Sequence, residues 1–253
     1  MGDVMKKLML LLSIGMIFTS CINHAQENER YKIGLLVVAT GKYIQFVPPL
    51  IESAEKYFCK DHDVSYVIFT DGQLDPADNI HTVYQERLGW PKDTLMRFYM
   101  YYGQKELLRS FDYLFACDAD MLFVNPVGDE ILGDRTAVIH PGYVGRRGTY
   151  ETSQKSTAYV SPSEGEHYFA GGIYGGATPC FFHLLETVIR NIEIDFSNGL
   201  IAVWHDESHL NRYFIDHKPS VILSSDYCYP ESHRNAESKK LLALDKNHDQ
   251  VRK

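Results

Sequence analysis

Residues 31–40 read YKIGLLVVAT, and after Lys32 no charged side chain interrupts the run. A strand with one wet face alternates apolar and polar residues. A run that does not alternate is buried on both faces, as in a parallel strand sandwiched between helices. Downstream segments repeat the theme. "VSYVIFTD" (64–71), "IHTVYQE" (80–86) and "DYLFACD" (112–118) read as further strands. Phe46, Leu50, Ile51, Ala54, Tyr57 and Phe58 recur at helical spacing, with Pro48 and Pro49 tolerable near that helix's start. "DTLMRFYMYYGQKELLRSF" (93–111) reads as one helix capped by Asp93 or Thr94. Strand and helix alternate through the first half. That predicts an open α/β sheet whose ligands sit beyond the carboxyl ends of its strands.

The second half is less regular. "TAVIH" (136–140) reads as a strand. The polar segment 141–167 comes next, long enough to be functional or mobile. "YFAGGIYGGATP" (168–179) does not match a dinucleotide loop. Its glycines fit either a tight turn needing positive φ or a close approach of backbone to a ligand. A helix (179–191), the strand "LIAVW" (200–204), a helix (207–216) and the strand "SVILS" (220–224) complete the chain.

The first 21 residues stand apart. "MKKLMLLLSIGMIFTSC" carries two lysines, a short apolar run and small residues ending at Cys21. This reads as a secretory leader with a lipoprotein-like cleavage site, the run being too short for a comfortable membrane span. An uncleaved, weak N-terminal anchor is the alternative. Residues 22–30 read as a polar tether, and 31–253 as a single catalytic domain. The expected location is membrane-associated or exported, with a cytoplasmic face still compatible. The remaining cysteines, Cys59, Cys117, Cys180 and Cys228, form no C-x-x-C pair and read as buried thiols rather than zinc ligands. A formal net charge of −8 argues against nucleic acid as a partner.

Four stretches carry chemistry. Asp118 and Asp120 interrupt the apolar "DYLFACDADMLFV". Buried carboxylates neutralise, pair or bind a metal. At i and i+2 of an extended chain they face one side, where a hard cation such as Mn²⁺, or Mg²⁺, completed by diphosphate oxygens, would suit them. A solvated turn is the plain alternative. "AVWHDESHLNRYF" (202–214) packs His205, Asp206, Glu207 and His209 where a strand meets a helix. Helix capping would explain acids there. A carboxylate that stabilises or attacks an anomeric carbon would explain them too. "AGGIYGG" is the third stretch. The fourth is the basic tail bearing Lys246, His248, Arg252 and Lys253, which is either solvated or closes over an anion.

Together "YVIFTD", "DYLFACDAD", "HPGY", "YFAGGIYGG", "AVWHDESHLNRYF", "HKP" and "KNHDQVR" resemble glycosyltransferase family 6. That family holds the histo-blood-group A and B transferases, α-1,3-galactosyltransferase, Forssman synthase and bacterial homologues. The resemblance runs over roughly residues 31–253. It implies a GT-A fold, a Rossmann-like open mixed sheet with flanking helices, and retaining transfer from a UDP-sugar to O3 of a galactose-terminated oligosaccharide. By position, Asp118 and Asp120 would bind Mn²⁺ and the diphosphate. Ala39 and Tyr43 would flank uracil and ribose. Arg97 and Asp206 would contact the donor sugar, and Glu207 would be the catalytic carboxylate. His140, Thr149 and Trp204 would shape the acceptor site, and Lys246, His248 and Arg252 would lie in a tail that orders over the diphosphate.

The small residues Ala170, Gly171 and Gly172 would admit an N-acetyl group, making GalNAc the expected sugar and galactose the second choice. Many bacterial relatives replace both acids of the D-x-D with asparagine and work without metal; here the acids are kept. The acidic acceptor contact of the animal enzymes falls near Pro230, where Glu231 would substitute. A fucosylated galactose is the first-choice acceptor. Two other readings use the same residues: an exported, carbohydrate-binding or inactive lipoprotein of this fold, and a UDP-sugar hydrolase.

Overall fold

The computed structural model describes residues 29–233 and 238–251. The leader, Cys21, Arg252 and Lys253 lie outside them. The first strand, β1 (Lys32–Val38), explains its own composition: Ile33, Leu35 and Val37 enter one apolar cluster while Leu36 enters another on the opposite face. The first cluster is roofed by α1 (Val47–Tyr57) through Val47, Leu50, Ile51 and Ala54. The parallel strands β2 (Asp63–Thr70) and β3 (Ile80–Tyr84) extend the sheet on one side. On the other side β4 (Tyr113–Asp118) pairs parallel to β1 and splits its side chains likewise, Phe115 and Cys117 to one face, Leu114 and Ala116 to the other.

The region read as one long helix is three short ones: α2 (Lys92–Leu95), α3 (Arg97–Gly103) and α4 (Lys105–Leu108). Met96 and Gln104 break it with non-helical ψ values of 2° and 25°. The cap position is Pro91, not Asp93 or Thr94; the Asp93 carboxylate instead accepts the Leu88 N–H at 2.8 Å.

After Asp118 the chain turns into β5 (Met121–Phe123), which leaves the main sheet. β6 (Thr136–Ile139) returns to it, and β7 (Phe169–Ala177) lies antiparallel between β4 and β6. So the glycine-rich stretch is a strand, not a tight turn. Gly175 answers to a protein neighbour: a Cβ there would sit 2.3 Å from the Leu114 carbonyl oxygen. The long helix α5 (Thr178–Ser197) covers the second cluster, followed by α6 (His205–Asp216) and β8 (Val221–Leu223), which pairs with β6. The sheet order is β3-β2-β1-β4-β7-β6-β8. This open mixed sheet with flanking helices, one domain, is the architecture the sequence implied.

"LIAVW" forms no strand. Ala202 is buried, but Ile201, Val203 and Trp204 point to solvent, and the Val203 N–H is taken by the Glu151 carboxylate at 2.7 Å. The polar segment 141–167 is fastened rather than loose. Asp195 on α5 accepts the Thr157 N–H at 2.7 Å, and Arg212 on α6 reaches the Tyr159 carbonyl at 3.2 Å. Cys59, Cys117 and Cys228 are buried and Cys180 half-buried, all unbridged. Among the described residues no helix is long and apolar enough to cross a membrane.

A second, three-stranded sheet brings the tail to the site. β10 (Leu241–Ala243) lies between β5 and the short β9 (Tyr229–Pro230). The Leu244 N–H then donates to the Asp120 carbonyl at 2.9 Å, so the C-terminal chain leaves directly beside the acidic turn. The last helix, α7 (His248–Val251), packs on the 3₁₀ turn Gly41–Phe46 that follows β1.

Candidate active site

The carboxyl ends of β1 and β4 open into one cleft, where an open α/β sheet places ligands. Its first lobe, about 130 Å³, is walled by Thr40, Tyr43, Trp90, Arg97, Asp118 and Asp120, with Lys246 and Val251 from the tail. The second, about 310 Å³, is walled by Gly171, Gly172, Trp204, Asp206 and Glu207. Trp90, Thr94, Arg97 and Asp118 face both, so the lobes are continuous. Ligand pockets run to roughly 300–1,000 Å³; the first lobe is smaller, and tail side chains form part of its wall.

Arg97 is the pivot. It opens α3 and is only 5% exposed. Its Nη1 sits 2.9 Å from the Asp118 carboxylate and its Nε 3.5 Å from that of Asp206. Burial opposes its charge, but the two carboxylates hold its pKa well above the usual guanidinium value. Asp206 feels the reverse balance: burial raises its pKa, Arg97 lowers it, and Asp118 raises it again. Asp120 is more enclosed than Asp118, 6% exposed against 36%, and is ion-paired with Lys246. Lys246 also lies over the Tyr43 ring, 5.9 Å from its centroid, and Lys42 ties the tail down through the Gln250 carbonyl at 2.9 Å.

Glu207 lies in the first turn of α6 with its carboxylate turned inward, accepting the Gly171 N–H at 2.8 Å. Burial pushes its pKa up to about 7; the Gly171 N–H and the Tyr168 hydroxyl pull it down, and Asp206 and Asp118 add to the rise. Entry into α6 is strained. His205 has φ of +50° and its ring meets that of Trp90 edge-on, centroids 5.0 Å apart. Left-handed φ at a residue with a Cβ costs about 1–3 kcal/mol and concentrates at functional sites.

Asp118, Asp120, Arg97, Asp206, Glu207, Gly171, Gly172, Trp204, Tyr43 and Lys246 therefore converge on one cleft. Ala39 does not: its side chain is fully buried, and Val38 and Thr40 on either side line the cleft instead. Ala170 is likewise buried in the core behind the strand. His140 accepts the Gly142 N–H at 3.0 Å, and burial lowers its pKa. Thr149 bonds the Tyr143 hydroxyl at 2.9 Å. Both stand beside Tyr168, whose ring is 5.8 Å from that of His140 and whose hydroxyl faces Thr149. Glu231 lines neither lobe and accepts the Asp245 N–H at 2.9 Å, anchoring the tail. Arg252 lies outside the described residues.

Two residues escape a reading of the sequence. Trp90 joins the lobes; its signal is a tryptophan in a polar, breaker-rich stretch, "LGWPKD". Tyr168 is hidden in "HYFAGG", where an aromatic reads as core.

Among the described residues no three His, Cys, Asp or Glu side chains are grouped to hold a metal ion. A hard cation would rest on Asp118 and Asp120 and draw its remaining coordination from ligand oxygens and water, which suits Mn²⁺ or Mg²⁺. Paired carboxylates at the mouth of a lobe that also presents Lys246 and Arg97 can hold a diphosphate through both cation and side chains.

Comparison with known proteins identifies the family. The sequence profile of Glycosyltransferase family 6 matches residues 10–253. Globoside alpha-1,3-N-acetylgalactosaminyltransferase 1 of Homo sapiens is 35% identical over 253 residues, covering 94% of this chain and 73% of that protein. Histo-blood group ABO system transferase 1 of Rattus norvegicus is 35% identical over 247 residues, covering 89% and 71%. The O-antigen biosynthesis glycosyltransferase WbnI of Escherichia coli is 29% identical over 225 residues, covering 86% and 96%.

Proposed function

This chain belongs to glycosyltransferase family 6, and on that premise we propose that it moves GalNAc from UDP-GalNAc to O3 of a galactose-terminated acceptor, with retention. The observation that carries this reading is Glu207: a half-buried carboxylate, fixed by the Gly171 N–H and facing the cleft that runs on to Asp118 and Asp120. Breaking the donor bond leaves an anionic UDP and a sugar ring with positive charge at its anomeric carbon. Glu207 offsets that charge, by facing it or by attack. Arg97 and Asp206, locked together, form a fixed polar wall against which the sugar hydroxyls are oriented. Trp204, half exposed at the mouth, offers an apolar face for the acceptor sugar.

Bound at Asp118 and Asp120, Mn²⁺ or Mg²⁺ supplies charge stabilisation to the departing diphosphate. A cation there competes with Lys246 for Asp120. Activity should fall at least about 100-fold in excess EDTA and return with Mn²⁺; full activity in EDTA would refute metal dependence.

GalNAc is preferred because Gly172 keeps the wall thin. A Cβ there would lie 3.0 Å from the Cys228 sulfur and 3.8 Å from Asp118. The human relative named for N-acetylgalactosaminyl transfer supports the same choice. Discrimination by one small group is worth about 1–3 kcal/mol, or roughly 10–200-fold. In direct competition, UDP-GalNAc should outrun UDP-Gal by about that factor, and a galactose preference would reverse the assignment. The deciding experiment incubates the protein with UDP-GalNAc, Mn²⁺ and galactosides with and without α-1,2-fucose, reading the new linkage by NMR. UDP release that does not depend on any galactoside would favour a hydrolase instead.

A further inference from the structure

Glu151 sits in the polar segment 141–167, yet it is only 7% exposed. A carboxylate so far from water needs its partners within the protein. Its two oxygens are divided between two stretches of chain. Oε1 accepts the Ser153 N–H at 2.7 Å and closes its own turn. Oε2 accepts the Val203 N–H at 2.7 Å, 52 residues away. Charge-assisted bonds of this kind are roughly twice as strong as neutral ones. The segment that carries Glu151 is itself fixed. The Glu151 carbonyl accepts the Val160 N–H at 3.0 Å, and Asp195 on α5 accepts the Ser156 hydroxyl and the Thr157 N–H.

Val203 precedes Trp204, which walls the second lobe of the cleft. Each N–H on the way into α6 has a different partner. Val203 has the Glu151 carboxylate, Trp204 the Ser208 hydroxyl at 3.0 Å, and His205 the Ala202 carbonyl at 2.9 Å. Of these three partners only Glu151 comes from outside residues 202–208. The helix is anchored separately. Asn211 bonds both the N–H and the carbonyl of Phe169 on β7, at 2.8 and 2.9 Å, and Glu207 accepts the Gly171 N–H. So the helix that carries Glu207 is seated on β7, and the turn that carries Trp204 is seated on Glu151.

We propose that Glu151 is a positioning residue for the acceptor: it holds the backbone at Val203 and so sets the Trp204 ring against which the acceptor sugar binds. The inference rests on the reading of Trp204 as an acceptor wall. Its consequence is a split between kinetic constants. Loosening Val203 weakens acceptor binding in ground and transition state alike, and it leaves the donor lobe and Glu207 in place.

The test varies an α-1,2-fucosylated galactoside, and then the plain galactoside, at saturating UDP-GalNAc and Mn²⁺. Glu151→Gln keeps the shape but replaces one accepting oxygen with an amide nitrogen that cannot accept. It should raise the acceptor KM about tenfold, with kcat within about threefold and the KM for UDP-GalNAc within about twofold. Thr157→Val is the control. It frees the same segment from the Asn191 carbonyl, 3.0 Å away, without touching Val203, so the acceptor KM should stay where it is. Trp204→Ala separates the two claims. Alone it should raise the acceptor KM about tenfold or more, and Glu151→Gln added to it should cost at most about twofold further, because the ring to be aimed is gone. If Trp204→Ala raises the acceptor KM and Glu151→Gln does not, the positioning role is wrong. It is equally wrong if Glu151→Gln acts in full on top of Trp204→Ala, or if Thr157→Val raises the KM as much. If Trp204→Ala leaves the acceptor KM unchanged, or UDP is released as fast without any galactoside, the underlying reading is wrong and the proposal falls with it. Should Glu151→Gln not fold, Glu151→Asp keeps the charge, shortens its reach to Val203 and is read by the same outcomes.

Discussion

Glu207→Gln is expected to lower kcat by about 10²–10³-fold while UDP binds within about threefold of the parent, because the substitution removes charge and little else. The amide oxygen can still accept the Gly171 N–H, so α6 keeps its seat on β7. On the diphosphate side Asp120 and Lys246 line only the other lobe, and Arg97 and Asp118 keep their own ion pair, so that side is left as it was. What is lost is negative charge where the anomeric carbon becomes positive. The pH profile gives an independent reading. In the free protein Glu207 has a pKa pushed up to about 7, and only the ionised form serves. Thus kcat/KM should fall roughly tenfold per pH unit below about 7, and that limb should vanish in Glu207→Gln. Isothermal titration with UDP beside steady-state kinetics checks both halves. If UDP affinity falls as far as kcat, Glu207 is a binding residue and the catalytic role is wrong.

The parts of this molecule legible in its sequence are those whose cause is local. The central runs of β1, β2 and β4 are apolar because clusters press on both faces, and composition alone records that. "DAD" is legible as a pair of carboxylates needing company, but the company is not: Asp118 is answered by Arg97 and Asp120 by Lys246, one far upstream and one in the tail. β7 is hard to read for the same reason. Its glycines look like a turn unless it is known that the Leu114 carbonyl crowds Gly175. "LIAVW" has strand-like side chains, but Glu151 takes the Val203 N–H instead. The break at Met96 has no sequence mark either, yet it starts α3 at Arg97 and puts the guanidinium at the cleft floor. Catalytic residues announce themselves by type; the residues that hold them in place do not.

The second large effect belongs to that floor. Arg97→Met should cost about 3 kcal/mol of stability and nearly all activity. Removing one member of a buried ionic cluster leaves uncompensated charge, typically a loss of about 3–5 kcal/mol. Asp118 is 36% exposed at its side chain, and water there trims the figure to the lower end. For a chain of this size that is a fall in Tm of about 6–12 °C. The pH dependence has a definite sign. Asp206 already has a raised pKa despite Arg97. Without Arg97 the carboxyl pKa of Asp206 rises further, so its ionised form weighs against folding above that range and its protonated form does not. The Tm deficit should therefore be largest near pH 8 and shrink toward pH 5. Adding Asp118→Asn and Asp206→Asn to Arg97→Met should restore most of the lost Tm and none of the activity, since the charge imbalance is relieved but the polar wall is gone. Thermal melts across pH for the single and triple variants decide it. A deficit that is flat with pH, or a triple variant no more stable than Arg97→Met, would mean that Arg97 stabilises the fold by packing alone.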